Sequence, residues 1–216
     1  MNMKLIIAAF LLLSFFNFGA VADILNKKEN SFGIIENDLR DISEFQENGV
    51  MLQYKTREDG KKEISNIKQQ LNCNTSINYR EINNNQFQIL KDDFHIDIKT
   101  WEENKYNYFE IKLINKNPKY KVLYLKNMLK NIEDEKSNDV QYFLYYKGKE
   151  TKEDINYYVD KVLNKNGVQK VNLLEITNGY VGNGNLNNGE RLNFASIKYD
   201  ISSSIIIGTP TIFELY

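Results

Sequence analysis

Val140–Tyr146, with the sequence VQYFLYY, is a strongly β-forming stretch of the chain. Apart from Gln141, its even and odd positions are apolar or aromatic, so an extended strand here is hydrophobic on both faces. Such a strand is typical of the middle of a sheet that is covered on both sides. We therefore interpret Val140–Tyr146 as a central strand and place the other predicted elements outward from it.

Toward the C-terminus, the sequence predicts a helix and a series of strands. The helix begins at Thr151, and Asn166-Gly167 ends it because both residues tolerate left-handed geometry. Residues 178–189 are rich in Gly and Asn and are predicted to form a loop. Strands are predicted at residues 168–177, 191–199 and 204–208, and residues 211–215 are predicted to extend the edge of the sheet.

Toward the N-terminus, similar elements appear in a similar order. Helices are predicted at residues 29–47, 58–71 and 120–132, where apolar residues recur every three or four positions. Strands are predicted at residues 50–54, 76–81 and 106–114, and residues 86–98 are predicted to hold one or two more. The order strand, helix, strand, strand, strand thus begins at Val50 and begins again near Val140.

This repeated order predicts an α+β fold, a single domain over 23–216 made of two pseudo-repeats, about 50–135 and 139–216. We expect duplicated β-α-β-β-β halves to pair into one curved antiparallel sheet. The helices must lie on one face of this sheet, because their apolar stripes require burial. The opposite face is then expected to be broad and open, and it is the natural place for a binding surface.

The first 22 residues have the three parts of a secretory signal peptide. Lys4 supplies positive charge, residues 5–16 form a nearly unbroken apolar run, and Ala20-Val21-Ala22 fits the small-x-small cleavage pattern. The run is shorter than the roughly 20 residues that span a bilayer. We therefore expect cleavage between Ala22 and Asp23, no transmembrane segment in the mature chain, and a secreted or extracytoplasmic location. An uncleaved N-terminal anchor is the alternative.

Charge and cysteine content bear on the class of function. The chain has 28 basic and 29 acidic residues and a net charge of −1, whereas nucleic-acid binding draws its affinity from a positive surface. We therefore expect no nucleic-acid partner.

Cys73 is the only cysteine, so the chain has no internal disulfide. We expect Cys73 to be a small buried apolar residue; a reactive thiol or a disulfide between chains is the alternative.

The C-terminal part of the chain resembles the YwmB family. The likeness is carried by Asn178-Gly179-Tyr180, LNFASIKY at residues 192–199, IGTPTI at residues 207–212 and Glu214-Leu215-Tyr216. Members of that family are exported proteins of spore-forming Gram-positive bacteria, and the family label of TATA-box binding implies a duplicated, saddle-shaped fold. The resemblance implies neither promoter binding nor any catalytic residue.

Asp93, His95 and Asp97 form the sharpest polar constellation in the sequence. In a strand they alternate with apolar residues, so their side chains are expected on one face. Two carboxylates and an imidazole are suitable ligands for a divalent metal, or can hold a general base in one tautomer. Alternate residues of a strand lie roughly 6.5–7 Å apart along it, however, and converge poorly on one ion. A solvated strand face is the favoured interpretation, and we predict no metal site and no cofactor.

Tyrosines and the Gly/Asn-rich loop supply the candidate binding residues. In the strand at 106–114, alternation places two tyrosines on the face opposite the core. The glycines of the loop at 178–189 have a spacing that suggests phosphate binding, but a strand and not a helix follows them, which favours a hairpin connection with exposed side chains. The candidate binding residues are Tyr106, Tyr108, Tyr180, Asn183 and Asn185.

No catalytic constellation stands out in the sequence. We therefore predict a non-enzymatic, exported binding or interaction protein of the cell envelope, with a link to sporulation suggested by the distribution of the YwmB family. Its expected partner is an envelope protein, a peptide or a glycan. The alternative is a cell-wall hydrolase or a metal-dependent enzyme that uses His95 with nearby acidic residues.

Overall fold

The computed structural model describes residues 25–71, 78–91, 93–151, 155–198 and 203–214, which form four helices and ten strands. The predicted signal peptide and Cys73 lie outside the described residues. The helices are α1 (Leu25–Arg40), α2 (Gly60–Gln70), α3 (Val122–Lys130) and α4 (Ile155–Lys165). The strands are β1 (Ser43–Thr56), β2 (Asn78–Asn83), β3 (Gln86–Lys91), β4 (Phe94–Glu103), β5 (Tyr106–Asn115), β6 (Asn138–Glu150), β7 (Gln169–Ile176), β8 (Gly179–Asn185), β9 (Arg191–Lys198) and β10 (Ser203–Thr209).

All ten strands belong to one antiparallel sheet, in the order β2-β3-β4-β5-β1-β6-β10-β9-β8-β7. β1 and β6 pair at the middle of this order, where Val50 lies opposite Leu144, and four strands flank them on each side. The prediction of an α+β fold with one antiparallel sheet is therefore confirmed. Phe143–Tyr146 of β6 are all buried, which also confirms a central strand covered on both sides.

The helices pack on one face of the sheet. Val50 and Leu52 of β1 alternate into a single core cluster that contains residues from all four helices, and this face is called the helix-covered face. The helical members of the cluster include Ile35, Ile67, Leu125 and Val162. The other face carries Tyr145, Ile114 and Ile206, which form a separate small cluster without any helix residue. It is called the helix-free face.

The predicted helix over 29–47 is too long at its C-terminal end. In the structure α1 ends at Arg40, and β1 begins at Ser43. Ile42 and Phe45 are three residues apart, a spacing that fits a helix, but Ile42 lies in the turn before β1 and Phe45 lies in β1 itself. The register of β1 with β6 is irregular between Phe45 and Glu47. Both side chains pack against the core, Ile42 from the turn and Phe45 from the strand.

Two predictions for the C-terminal half are wrong. The expected loop at 178–189 contains β8, so that four strands, and not three, follow the helix in this half, as they do in the first. Residues 211–215 were expected to extend a sheet edge. Residues 211–214, the described part of this range, instead form no strand. β10, which precedes them, lies inside the sheet between β6 and β9, and the edges are β2 and β7.

Candidate functional site

An aromatic and cationic cluster lies on the helix-free face, where β1, β4 and β5 are neighbours. The ring of Trp101 stacks on that of Tyr108, with 5.4 Å between centroids and 8° between planes. The Lys55 ammonium and the Arg57 guanidinium lie 4.9 and 4.8 Å from the ring centroid of Tyr106. These five residues are called the aromatic–cationic patch.

Strand register brings the patch together. Trp101 pairs with Tyr108 across β4 and β5, and Tyr108 pairs with Lys55 across β5 and β1. Phe109 directly follows Tyr108 in β5, and it is fully buried on the helix-covered face, as the alternation predicts. The three rings of the patch are half-buried, so each keeps contact with solvent while the sheet fixes its position.

Lys55 of the patch and Glu110 beside it each have a charged partner. Lys55 forms a salt bridge with Asp139, and the hydrogen bond from Lys55 to Asp139 raises the pKa of Lys55. Glu110 of β5 accepts a hydrogen bond of 2.9 Å from Gln53 Nε2 and lies 3.6 Å from Lys99 Nζ. The patch and Glu110 beside it therefore combine ring surfaces with cations and a carboxylate acceptor, a composition typical of binding surfaces.

The C-terminal segment, residues 210–214, crosses the middle of the helix-free face. The ring of Phe213 lies 5.5 Å from that of Tyr145 on β6, and Glu214 Oε2 lies 3.0 Å from Lys112 Nζ on β5. The expectation of a broad open face is therefore wrong at its centre. The exposed part is reduced to its flanks, and the patch lies on one of them.

The candidate residues of the predicted loop are divided between the two faces of β8. Asn183 pairs with Asn193 of β9, which belongs to the helix-free face, and Asn185 has the same orientation two residues further on. Tyr180 pairs with Ser196, and Ser196 lies opposite the core residue Ile205. Tyr180 is therefore on the helix-covered face.

Asn183 lines a shallow depression of about 300 Å³ together with Asn172, Asn193 and Ile212. This depression lies on the opposite flank from the aromatic–cationic patch, because β1, β6, β10 and β9 separate β5 from β8. The structure therefore brings Tyr106 and Tyr108 together, but it does not bring the five candidate residues into one site.

Asp93, His95 and Asp97 have separate surroundings. Asp93 precedes β4, and its Oδ2 accepts a hydrogen bond of 2.8 Å from Asn117. Asp97 Oδ1 accepts one of 3.0 Å from Gln86, and His95 is exposed. Over the described ranges, no group of three or more His, Cys, Asp or Glu side chains is placed to hold a metal ion. This geometry gives no support to an enzyme centred on His95.

The most enclosed carboxylate of the helix-covered face, Glu36 of α1, is not indicated by any sequence motif. Its Oε1 accepts hydrogen bonds from Arg40 Nη2 at 2.7 Å and from Asn48 Nδ2 at 2.9 Å, and its Oε2 accepts one from the backbone N–H of Val122 at 3.0 Å. Glu36 therefore joins α1, β1 and the N-terminus of α3, and it is fully buried. Its role is structural.

The sequence matches no protein-family model, and no curated protein is significantly similar to it. Among the described residues, no helix is both long enough and apolar enough to cross a membrane. A functional proposal for this chain therefore depends on the geometry of the helix-free face.

Proposed function

We propose that the protein is a non-enzymatic binding module that acts outside the cytoplasmic membrane, at the cell envelope, through its helix-free face. The observation that carries this proposal is the aromatic–cationic patch. Tyr and Trp rings give large contact areas at a low cost in conformational entropy, and here the sheet holds three of them beside two cations. The proposed ligand is a peptide, a glycan or an envelope protein, and not a nucleic acid.

We further propose that the two halves of the chain are structural repeats that form a curved saddle. β1 and β6 are each followed by a helix and four strands, and the four strands run outward from the centre in the same order on both sides. The resemblance to the YwmB family leads to the same fold. Membership of that family, export and a link to sporulation are parts of this proposal.

Trp101 provides a direct test, because it is the only tryptophan of the chain and belongs to the patch. Soluble peptidoglycan fragments, which contain both sugar and peptide, are titrated into the purified protein while tryptophan fluorescence is recorded. We expect a saturable change in the wild-type protein. The change is expected to be lost in Tyr108→Ala, because Tyr108 stacks directly on Trp101.

Tyr157→Ala is the matched control, since Tyr157 is an exposed tyrosine on α4, which packs on the helix-covered face and so lies on the opposite side of the sheet from the patch. It is expected to bind like the wild type. Equal losses in Tyr108→Ala and Tyr157→Ala would argue against the patch. The absence of any saturable change, with intact fragments and with the separated glycan and stem peptide, would contradict the proposed function for these ligands.

A further inference from the structure

The C-terminal segment covers the centre of the helix-free face, and the strip of sheet surface beneath it is called the groove. Tyr145 and Ile206 form its floor and are fully buried, although no helix covers them. Gly208 borders the groove, where a Cβ atom would lie 2.8 Å from the Thr211 carbonyl oxygen and 2.9 Å from the Cα atom of Ile212. The missing side chain at Gly208 therefore allows the C-terminal segment to lie directly on the sheet.

The C-terminal segment is more exposed to solvent than the floor of the groove. Ile212, Phe213 and Glu214 are half-buried, and Thr211 is exposed. The segment is not a strand of the sheet. One of its sides contacts the protein and the other faces solvent, which is the way in which a bound peptide contacts a receptor.

The contacts along the groove are of three chemical kinds. Ile212 and Phe213 pack against the apolar floor, and Lys112 forms a salt bridge with Glu214 at the β5 end. At the β9 end, Asn193 Nδ2 donates a hydrogen bond of 2.6 Å to the carbonyl oxygen of Pro210. The groove thus recognises a backbone carbonyl, apolar side chains and a carboxylate in a fixed order.

We propose that this groove is a peptide-binding site that the C-terminal segment occupies in the free protein. The partner is a peptide that presents an aliphatic, an aromatic and an acidic side chain in succession, because this is the chemistry that the groove already holds. The inference does not depend on the aromatic–cationic patch, and the test below uses a different ligand and different residues.

Occupation by the chain's own segment must weaken binding of a free peptide. A tethered segment acts at an effective concentration in the millimolar range. For a free peptide with an intrinsic Kd of about 10–100 μM, this competition raises the apparent Kd roughly 10- to 100-fold. The site is therefore expected to be nearly silent until the contacts of the segment are weakened.

The test uses the full-length chain and a fluorescent peptide with the sequence of residues 209–216, TPTIFELY. The variant Phe213→Ala/Glu214→Gln removes the ring contact and the ion pair of the tethered segment. We expect fluorescence anisotropy to show binding at least ~10-fold tighter than to the wild type, as the competition requires. Thr211→Ala, in the same segment but exposed, is the matched control and is expected to bind like the wild type.

A charge reversal tests the recognition of the acidic side chain. Lys112→Glu, added to the Phe213→Ala/Glu214→Gln chain, is expected to abolish binding of the peptide. A second peptide, with Lys in place of the glutamate, is expected to regain binding to this chain. Regain by the reversed peptide distinguishes a specific site from adhesion to an exposed apolar surface.

Three results would overturn the proposal. The first is equal affinity of the peptide for the wild type and for Phe213→Ala/Glu214→Gln. The second is equal affinity of the peptide for that variant with and without Lys112→Glu. The third is a concentration-dependent dimer that exchanges the C-terminal segment but binds no free peptide, which would assign the groove to a second copy of the chain. If circular dichroism shows that the variant is unfolded, the test is made on the wild-type protein by NMR. We then expect peptide at millimolar concentration to shift the amide signals of Tyr145 and Gly208, and unchanged signals would overturn the proposal.

Discussion

The helix-covered face and the aromatic–cationic patch of the helix-free face use their charged groups in opposite ways. On the helix-covered face, Glu36 and Glu63 are buried, and partners within the protein bind their carboxylates. On the helix-free face, Arg57 is exposed and Lys55 and Trp101 keep part of their surface in solvent. From this difference we expect substitutions on the helix-covered face to act mainly on folding and substitutions in the patch to act mainly on the proposed binding.

The largest effect is expected for Glu36→Ala. The substitution removes the carboxylate that accepts from the Arg40 guanidinium, the Asn48 amide and the Val122 N–H. Arg40 and Asn48 keep the carbonyl oxygen of Tyr120 as an acceptor, but the charge of Arg40 loses its ion-pair partner. Removal of one partner of a buried charged network costs about 3–5 kcal/mol, which urea denaturation measures directly. Asn37→Ala, at the exposed neighbouring position, is the control and is expected to change stability little. A loss below about 1 kcal/mol in Glu36→Ala would contradict the assigned role of the network.

A smaller loss is expected for Tyr54→Phe, also on the helix-covered face. The hydroxyl of Tyr54 donates a hydrogen bond of 2.6 Å to Glu63 Oε1, and both residues are buried. Without this donor the buried carboxylate of Glu63 loses a hydrogen bond, which is expected to lower the free energy of unfolding by about 1–3 kcal/mol. The free energy of unfolding at neutral pH measures the effect. No loss would show that Glu63 finds another donor.

The same tyrosine predicts a dependence of stability on alkaline pH. Burial and the hydrogen bond to Glu63 raise the pKa of Tyr54 above its ordinary value of 10.0. Above pH 10 the unfolded chain loses a proton that the folded chain keeps, so the contribution of Tyr54 is complete below this pH and decreases above it by about 1.4 kcal/mol per pH unit. Tyr54→Phe is expected to make the alkaline decline less steep, whereas Tyr124→Phe, at a half-exposed site, is expected to leave it unchanged. Identical slopes in all three proteins would contradict this linkage.

Periodicity predicts the strands whose core side chains alternate. The pattern of apolar residues predicts a strand at 106–114, and β5 spans Tyr106–Asn115. β8 escapes the same reasoning because Gly182 and Gly184 have no side chains to alternate. In the structure Phe194 and Val168 occupy the space beside these two glycines. Small residues are required in β8 because side chains from neighbouring strands and segments fill the space beside it, and the sequence of β8 alone does not show this.

The candidate site is predictable only in part for the same reason. Alternation places Tyr106 and Tyr108 away from the core, but Trp101 and Lys55 join them through the register of β4 and β1 with β5. The C-terminal segment crosses the strands, and no periodicity marks such a path. Glu36 likewise depends on partners 12 and 86 residues away in sequence.

Phe213→Ala tests the part of the helix-free face that behaves like a core. The substitution removes the ring that packs on Tyr145 and exposes the floor of the groove. Because Phe213 is only half-buried, the expected loss is about 1–2 kcal/mol, from the area that it buries, and thermal unfolding measures it. Leu173→Ala, at an exposed position of β7, is the control. If Phe213→Ala is as stable as the wild type, the C-terminal segment contributes little to folding, and the groove is then closer to a free binding site.

Trp101→Ala should have the smallest effect on stability and the clearest effect on binding. Cross-strand aromatic pairs contribute roughly 0.2–1 kcal/mol, and Trp101 and Tyr108 are both in contact with solvent. The free energy of unfolding is therefore expected to fall by no more than about 1 kcal/mol, while retention on immobilised peptidoglycan fragments is lost. A loss of several kcal/mol would place Trp101 with Glu36 among the residues that hold the fold. Since the rings are supported from below by the sheet and not by each other alone, we expect binding and stability to separate at this position.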